Sequence, residues 1–529
     1  MQPELYERLN KGWKITSRTL FGEEIGDLNG YEEWLGEYLP SFGKKGSSVS
    51  GKPVLLESNQ YCNAKFISAD EIKEDALTIN EVKDIDSILE ALAEKWEYTG
   101  NKILGNSKSV EASDLVMDSQ YVADSANIQQ SSDVFLSYMI RKGSRYVYGG
   151  GCFGIGEFIV RVFAAYNIKR ILESFFITDS SDIYFSYNCA GCTELLFSFF
   201  QRNKRYCIGN LQLPKDRYAN LKKKLLAEIA SELKKSKRFP SLFELCGDMH
   251  EDVELKIPNK KSIVDKESIE RAFSSTFRTI FRKEIDGIDQ YGKWLAKHTV
   301  TIKRIKSPFG IETYVPESRQ YSIFSRFPEN RIVSFEEGME LGKMTLDEKD
   351  LDSLEKIKEN LTKIGYVSAE FVSGISKNRI ETPVVFNASN IYKTYDGTHS
   401  EYVGFSSMAG NSKYIFGCGR ILESQFCINC YNSLYLNRCF EVDTSSKCSD
   451  SFFCHNSEGL SDCIFCFNAK GKHYAIGNLV LDPERYRTLK NQLLGQIVEE
   501  LKTTGESKLD IFNINYRGGR LWYSKLMKC

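Results

Sequence analysis

The stretch SDIYFSYNCAGCTELLFSFFQRNKRYCIGNL, residues 181–211, returns as SDSFFCHNSEGLSDCIFCFNAKGKHYAIGNL, residues 449–479. The match extends outward at the same offset of 268, so that residues 131–233 recur at 399–501. Upstream, residues 18–61 recur at 278–321 with an offset of 260. Because an internal repeat decides the whole fold where it occurs, the chain is predicted to be a tandem duplication.

Within each copy, short apolar runs recur at a finer period. They begin at Ser132 and continue to Thr193 at steps of about 12 residues, and the second copy repeats them from Ser400 to Ser461. Short runs that are rich in aromatic residues and bounded by Ser, Asn, Asp and Gly are typical of strands. We therefore expect a stack of strands. A solenoid with two strands per coil of about 24 residues is the first interpretation, and an antiparallel meander stays open.

The predicted fold class is α+β, with the same three parts in each copy. These are a mixed α/β N-terminal part, a β-solenoid-like stack with a strand period of about 12 residues, and a closing helix with apolar residues at a spacing of four. The first copy spans 1–239, with its strand stack at 119–213 and its helix at 215–235. A linker at 240–268 precedes the second copy at 269–505, with its stack at 387–481, its helix at 483–503, and a basic and aromatic tail at 506–529.

Composition narrows the class of protein. The 529 residues are 42% hydrophobic, with 70 basic and 71 acidic side chains. This balance argues against global disorder and against a globally basic nucleic-acid binder. No apolar run approaches the length of a membrane span, and the amino terminus lacks the features of a signal peptide. Fifteen cysteines without an export signal indicate reduced thiols. We expect a cytoplasmic or virion location and no membrane partner.

Cysteine is the residue type that most suggests chemistry. Cys427, Cys430, Cys463 and Cys466 form two Cys-x-x-Cys pairs, a spacing that ligates zinc when it lies in a turn. The duplication favours packing, because Cys463 and Cys466 align with a leucine and a serine of the first copy. An extended strand also points residues i and i+3 to opposite faces. We predict no metal or other cofactor; if zinc binds, these four cysteines are the predicted ligands.

Enzymatic patterns are weak. The chain has five histidines, none in a nucleophile or metalloprotease motif, and His455 and His473 are not histidines in the first copy. We therefore predict no catalytic residue and no enzyme. A cleft of acidic residues on a solenoid stays open as a third alternative, which would make the protein carbohydrate-active.

One motif is kept in both copies just before the closing helix. It consists of Tyr206, Ile208, Gly209 and Asn210 in the first copy and of Tyr474, Ile476, Gly477 and Asn478 in the second. We predict that it forms a turn that caps the stack and starts the helix.

These features together resemble a family. A block of short cysteine- and aromatic-rich repeats ends in a basic-x-Tyr-Cys-Ile-x-Asn segment, followed by Lys215-Asp-Arg-Tyr or Pro483-Glu-Arg-Tyr. It resembles uncharacterised cysteine-rich repeat proteins of bacteriophages, large viruses and candidate-phyla bacteria, over residues 131–235 and 399–503. The resemblance implies a β-solenoid-like fold. The family has no established activity and supplies no catalytic residue, and the zinc ribbon that opens some relatives is absent here.

The sequence thus predicts a non-enzymatic structural or scaffold protein, of the kind found in viral or phage particles, that presents solenoid faces to protein partners or to copies of itself. Nucleic-acid binding stays open, because basic tracts such as Lys222-Lys-Lys and Lys234-Lys-Ser-Lys-Arg could meet phosphate. The alternative function is accordingly a zinc-stabilised nucleic-acid-binding protein.

Overall fold

The computed structural model describes residues 1–57, 60–61, 64–73, 75–247, 255, 264–317 and 322–514. Two large, curled sheets of parallel strands dominate it, one in each copy. The predicted pair of repeated β-rich units is therefore confirmed. We call residues 1–247 half 1 and residues 264–514 half 2.

Helices flank both sheets. The α-helices are α1 Pro3–Phe21, α2 Glu32–Gly36, α3 Ile85–Lys95, α4 Lys215–Ser236, α5 Leu242–Cys246, α6 Lys266–Phe281, α7 Gly292–Leu295, α8 Phe335–Leu341, α9 Leu354–Asn360 and α10 Pro483–Thr504. Short 3₁₀ helices lie at Leu28–Tyr31, Ala69–Glu71, Ile288–Tyr291, Ser322–Arg326, Glu329–Arg331, Glu348–Asp350 and Leu361–Lys363. The long helices α1 and α6 lie along the stacks of their own halves, and α4 and α10 close them.

The strands of each stack are short, except for Gly151–Tyr184, which continues through several turns. Stack 1 contains Ile103–Leu104, Lys108–Glu111, Asp114–Met117, Gln120–Ala123, Ala126–Gln129, Ser132–Phe135, Tyr138–Arg141, Arg145–Tyr148, Gly151–Tyr184, Tyr187–Ala190, Thr193–Leu196, Arg205–Ile208 and Leu211–Gln212. Stack 2 contains Phe371–Ser373, Lys377–Ile380, Val384–Phe386, Ser389–Tyr392, Asp396–Thr398, Glu401–Gly404, Met408–Gly410, Lys413–Phe416, Gly419–Leu422, Gln425–Ile428, Tyr431–Leu434, Asn437–Asp443, Phe452–His455, Ser461–Ile464, His473–Ile476 and Leu479–Val480. Outside the stacks, Gly43–Gly46 pairs with Pro53–Leu56, Thr301–Lys306 with Glu312–Glu317, and Phe66–Ser68 with Tyr98–Gly100.

Each turn of a stack lies directly on the turn before it. In stack 1, Thr193 pairs in parallel with Arg205, and in stack 2, Lys413 pairs in parallel with Gln425. Alternate strands pair with each other, so a single such turn contains two strands. The observed coil is therefore half as long as the predicted one, and the predicted coil length is wrong. The antiparallel meander is also wrong, because within the described stacks the only antiparallel pairing is the terminal hairpin of each.

Left-handed backbone at every third residue makes so short a turn possible. In one turn, Phe176, Asp179, Asp182 and Phe185 have φ of 57°, 46°, 58° and 48°. Each such residue bends the chain, and the next residue points into the stack. Most of these positions hold residues other than glycine, although left-handed backbone disfavours a Cβ. Hydrogen bonding between successive turns must therefore compensate for the strain.

Inward side chains follow the same triplet. In the turn just described they are Ile177, Ser180, Ile183 and Ser186, all buried. Aliphatic inward residues form a continuous apolar column, because equivalent positions of successive turns lie above one another. An inward serine instead bonds to backbone on two levels. Ser186 Oγ donates to Tyr184 O at 2.9 Å and accepts from the N–H of Ser198, the equivalent inward residue of the next turn, at 3.1 Å.

The two halves exchange segments. Exchange segment 1, residues 43–101, connects the N-terminal helices of half 1 to stack 1, yet its described apolar residues share a core with stack 2, α6 and α10. Exchange segment 2, residues 301–369, shares a core with stack 1, α1 and α4. The halves therefore pack reciprocally and not as two independent units.

The region predicted as the linker, 240–268, begins as packed structure. α5 is buried in the core of half 1, and Leu509, Ile511, Phe512 and Ile514 occupy the equivalent place in half 2. The basic and aromatic residues of the tail, from 516 onward, lie outside the described residues, as does most of 248–263.

Candidate functional site

The Ile-Gly-Asn turn of half 2 holds exchange segment 1. Gly477 has φ 55°, and its carbonyl accepts the Leu77 N–H at 2.8 Å. A Cβ on Gly477 would lie 2.4 Å from Leu77 Cδ1, so only glycine fits here. Asn478 Nδ2 donates to Asp75 O at 2.8 Å, and its Oδ1 accepts the Phe467 N–H at 3.2 Å.

Half 1 repeats this arrangement with exchange segment 2. Gly209 O accepts the Leu346 N–H at 2.9 Å, and Asn210 Nδ2 donates to Met344 O at 2.9 Å. Ile208 and Ile476 are buried in the two cores. The rings of Tyr206 and Tyr474 each lie 5.5 Å from a tyrosine in the first turn of the closing helix. The motif therefore ends each stack in a hairpin, precedes the helix, and also binds a segment of the other half.

The cysteines occupy inward triplet positions. Cys427, Cys430, Cys463 and Cys466 are all completely buried in the column of stack 2. The expectation that i and i+3 point to opposite faces is wrong, because the left-handed Phe465 (φ 54°) lies between Cys463 and Cys466 and both point inward. A spacing of three is the period of the interior, so Cys-x-x-Cys arises wherever two successive inward residues are cysteine.

Each thiol contacts the backbone as an inward serine does. The Sγ atoms of Cys427, Cys430, Cys463 and Cys466 contact the carbonyl two residues earlier at 3.4, 3.5, 3.4 and 3.7 Å. Burial raises the pKa of Cys430 and of Cys466 well above the ordinary value, which disfavours the thiolate that ligates metals. Over the described residues, no group of three or more His, Cys, Asp and Glu is arranged to hold a metal ion.

A buried polar network lies where half 1 meets stack 2. We call it the seam; it comprises Glu57, Tyr61, Thr99, Lys102, Asp114, Tyr138, Arg420, Asn432, Asp443 and His455. Half 1 supplies the first six residues and stack 2 the last four. Because a buried charge is costly unless it is paired, such a cluster in a buried interface calls for a physical explanation.

The first part of the seam centres on Glu57. Its carboxylate pairs with Arg420 and accepts hydrogen bonds from Tyr138 Oη at 2.6 Å and Asn432 Nδ2 at 3.0 Å. The side chains of Glu57 and Arg420 are each 2% exposed. The Glu57 backbone N–H donates to Asp114 Oδ2 at 2.9 Å. The two carboxylate oxygens of Glu57 are thus both engaged, and their partners come from both halves.

The second part of the seam centres on Asp443 and His455. Asp443 Oδ2 accepts from Tyr61 Oη at 2.7 Å and lies 2.9 Å from His455 Nδ1. The Thr99 N–H donates to His455 Nε2 at 3.1 Å, which places the ring proton on Nδ1. Burial lowers the pKa of His455. Burial alone would raise the pKa of Asp443, but hydrogen bonds from His455 and Tyr61 outweigh it and lower that pKa. The pair is therefore a carboxylate beside a neutral imidazole.

A hydrogen-bonded chain of tyrosine, aspartate and histidine can transfer protons, but the burial of this chain does not suit catalysis. Both Asp443 and His455 side chains are 0% exposed, and the second imidazole nitrogen is occupied by a backbone amide. A general base must reach the proton that it abstracts. This arrangement instead fixes the position of exchange segment 1 on stack 2.

A second buried acid differs between the halves. In half 1, Glu173 binds Arg161 Nε at 2.5 Å and accepts the Leu242 N–H at 3.0 Å. In half 2, the equivalent Glu441 binds Asn429 Nδ2 at 3.0 Å and accepts the Ile511 N–H at 2.9 Å. Each glutamate therefore holds the segment that follows its own closing helix. In the described residues, a buried arginine binds this glutamate in half 1, whereas an asparagine takes its place in half 2.

The pKa of the glutamate in half 2 is shifted upward. Burial and the neighbouring Asp510 raise the pKa of Glu441 well above its ordinary value. Asp510 itself contacts Lys297 at 2.5 Å and His298 at 3.0 Å. Although burial raises the pKa of Asp510, His298 and Lys297 outweigh it and hold that pKa at about 2.

On the surface, equivalent corners of the two stacks carry shallow grooves of about 540 and 530 Å³. Asn167 and Asp179 line the first, and their counterparts Tyr435 and Lys447 line the second. An acid in one copy is thus a base in the other. The two grooves lie at equivalent places but carry opposite charges at this position, so the duplication does not indicate a shared ligand.

The basic tracts are largely neutralised by neighbouring acids. Lys222 pairs with Glu194, and Lys234 pairs with Glu23 across the interface of α4 and the N-terminal segment. These contacts favour a solvated helix face over a phosphate-binding surface.

Sequence reasoning missed the seam. Its signal was present, because Glu57 and Tyr61 are kept as Glu317 and Tyr321 in the second copy. In the sequence, Arg420 stands out only because the corresponding residue of the first copy, at the offset of 268, is a cysteine. Nothing in the sequence says that residues so far apart meet.

Comparison with protein families, with curated proteins and with solved structures found no match. The resemblance to cysteine-rich repeat proteins therefore stays a prediction. None of the helices in the described part of the chain combines the length and the apolarity that crossing a bilayer requires.

Proposed function

We propose that this protein is a non-enzymatic scaffold in which two β-solenoids, joined by exchanged segments, present their uncovered sides to a protein partner. The solenoid assignment is supported by the parallel register of each turn on the next, as between Thr193 and Arg205, and by the continuous inward column of each stack. The scaffold assignment is supported by the placement of the polar clusters, which are buried and bind segments of the chain itself.

Two exposed apolar side chains on stack 1 are the basis for choosing a protein as the partner. Ile155 is 40% and Tyr166 45% exposed, on successive turns. Tyr166 lies over Gly154, whose added Cβ would be 3.8 Å from the ring, and Lys142 approaches the ring at 5.7 Å. Aromatic residues are enriched at the centres of protein interfaces. The strained but hydrogen-bonded turns hold these side chains at fixed spacing, which reduces the entropy lost on binding.

Affinity purification from the native source, with matched variants, tests this proposal. The full-length protein is compared with Ile155→Asp/Tyr166→Asp and with Val480→Asp, a control that changes a 60% exposed residue on the terminal hairpin. We expect a protein that is retained by the wild type and the control and lost with the double variant. If all three baits retain the same proteins in the same amounts, this side of stack 1 is not the partner surface.

A further inference from the structure

The seam differs from its counterpart on the other side of the molecule. At the 268 offset, Arg420, Asp443 and His455 of stack 2 correspond to Cys152, Phe175 and Tyr187 of stack 1. We propose that the seam determines partner choice between the halves: half 1 pairs only with a stack that carries the Arg420, Asp443 and His455 set, and so with half 2 and not with another half 1.

Pairing of two first halves would leave a buried carboxylate without a cation. Exchange segment 1 would then lie on stack 1, and Glu57 would face Cys152 in place of Arg420. Glu57 is buried and its salt bridge with Arg420 spans the halves. Removing one partner of a buried ion pair is strongly destabilising, because the remaining charge stays desolvated. Tyr61 Oη would likewise meet the Phe175 ring and lose its acceptor.

Pairing of two second halves would bring carboxylates together. Lys102 of half 1 binds Asp114 at 3.0 Å, and although burial raises the pKa of Asp443, the charge of Lys102 contributes to lowering it. The counterpart of Lys102 in half 2 is Glu370, a buried carboxylate that accepts a hydrogen bond from Thr313 Oγ1 at 2.8 Å. In a pair of second halves Glu370 would take the place of Lys102 beside Asp443. Like charges in a buried site repel strongly, so this pairing is also disfavoured.

Both homotypic pairs therefore carry a penalty that the observed pair avoids. Backbone contacts do not discriminate, since the two Ile-Gly-Asn turns bind their respective exchange segments through equivalent atoms. The seam side chains therefore discriminate between the possible pairs of halves, because a wrong pair would leave buried charges unpaired.

The test uses the full-length chain with a protease site inserted between Pro258 and Asn259. The protein is cleaved after folding, unfolded and refolded, and native mass spectrometry counts the three possible pairs. Co-expression of the two cleavage products from one transcript gives the same count without a refolding step. We expect the half 1–half 2 pair to exceed either homotypic pair at least tenfold. Absence of that pair in both formats, or equal amounts of all three pairs, would overturn the proposal.

Two variants assign the discrimination to the seam. Arg420→Met leaves Glu57 unpaired in the heterotypic pair too, and is expected to lower the ratio of heterotypic to half 1 homotypic pairs at least tenfold. Glu57→Gln removes the buried charge and is expected to increase half 1 homotypic pairs at least tenfold. Arg438→Met, which breaks a part-buried ion pair with Asp450 on stack 2, is the matched control. A ratio that is the same in all variants would refute the role of the seam.

Discussion

The inward Ser186 of half 1 and its counterpart Cys454 of half 2 provide a sharp test of the triplet interior. Ser186 Oγ donates to Tyr184 O at 2.9 Å and accepts the Ser198 N–H at 3.1 Å. Cys454 Sγ makes the equivalent contact to Phe452 O at 3.3 Å. If thiol and hydroxyl serve the same purpose, Ser186→Cys and Cys454→Ser are tolerated, whereas Ser186→Ala is not.

The magnitudes follow from the contacts that each change removes. Ser186→Ala takes away the acceptor of a buried amide, and a buried donor left without a partner costs about 1–3 kcal/mol, so we expect a loss of about 2 kcal/mol in the free energy of unfolding. The serine–cysteine exchanges keep a donor and an acceptor and change the side-chain volume little. Such exchanges cost less than about 1.5 kcal/mol, and we expect about half of the loss caused by alanine.

Urea unfolding in the presence of a reductant, followed by tryptophan fluorescence, measures these differences as shifts in the midpoint. Zinc content is measured on the same samples. The double change Cys463→Leu/Cys466→Ser, which installs the residues of the first copy, is expected to fold with unchanged metal content. A cost of Ser186→Cys as large as that of Ser186→Ala would contradict the equivalence of thiol and hydroxyl. Loss of stoichiometric zinc together with the fold in the cysteine variants would contradict a packing role for the thiols.

Two further sets of substitutions each include a matched control. Gly477→Ala and Gly471→Ala both place a Cβ at left-handed φ, but only the Cβ at position 477 meets Leu77, at 2.4 Å. We therefore expect Gly477→Ala to lower the free energy of unfolding by about 1–3 kcal/mol more than Gly471→Ala does. Equal melting temperatures of the two variants would contradict the contact. Glu441→Gln tests the raised pKa of Glu441. The stabilisation that the protonated acid provides is complete below the pKa of the unfolded state and is lost as pH rises through the pKa of the folded state. The glutamine variant is therefore expected to gain stability relative to the wild type as pH increases. Glu173→Gln, which removes one of the two carboxylates that pair with the buried Arg161 guanidinium, is expected to destabilise instead, and parallel stability–pH curves for Glu441→Gln and wild type would refute the assignment.

The repeat between stacked turns could be predicted from sequence, but the presence of two strands in each repeat and the shape of the turn could not. Regularly spaced apolar runs reveal the repeat, because equivalent positions lie above one another. The left-handed triplet is hidden, since residues such as Phe176 and Phe185 adopt positive φ here although phenylalanine gives no hint of it. The tertiary hydrogen bonds of the stack override local preference, and the coil is consequently half as long as the pattern suggested.

The exchange of segments could not be predicted for a different reason. Both copies bury apolar residues of the same kind, so the pattern fits docking on either stack equally well. The decisive residues are few and far apart in sequence, such as Glu57 and Arg420, and each is unremarkable alone. The Ile-Gly-Asn motif was recognised because both copies keep it, but its contact with the other half follows only from the packing of Leu77 and Leu346 on the two glycines.

Photo-cross-linking in the chain cut between Pro258 and Asn259 tests the central claim, the reciprocal exchange, most directly. A photoreactive phenylalanine analogue replaces Leu77 in one preparation and Leu346 in another, and the cross-linked products are sized and mapped. We expect position 77 to capture half 2 near Gly477 and position 346 to capture half 1 near Gly209. Cross-links confined to the half that carries the analogue, in both preparations, would contradict the reciprocal exchange.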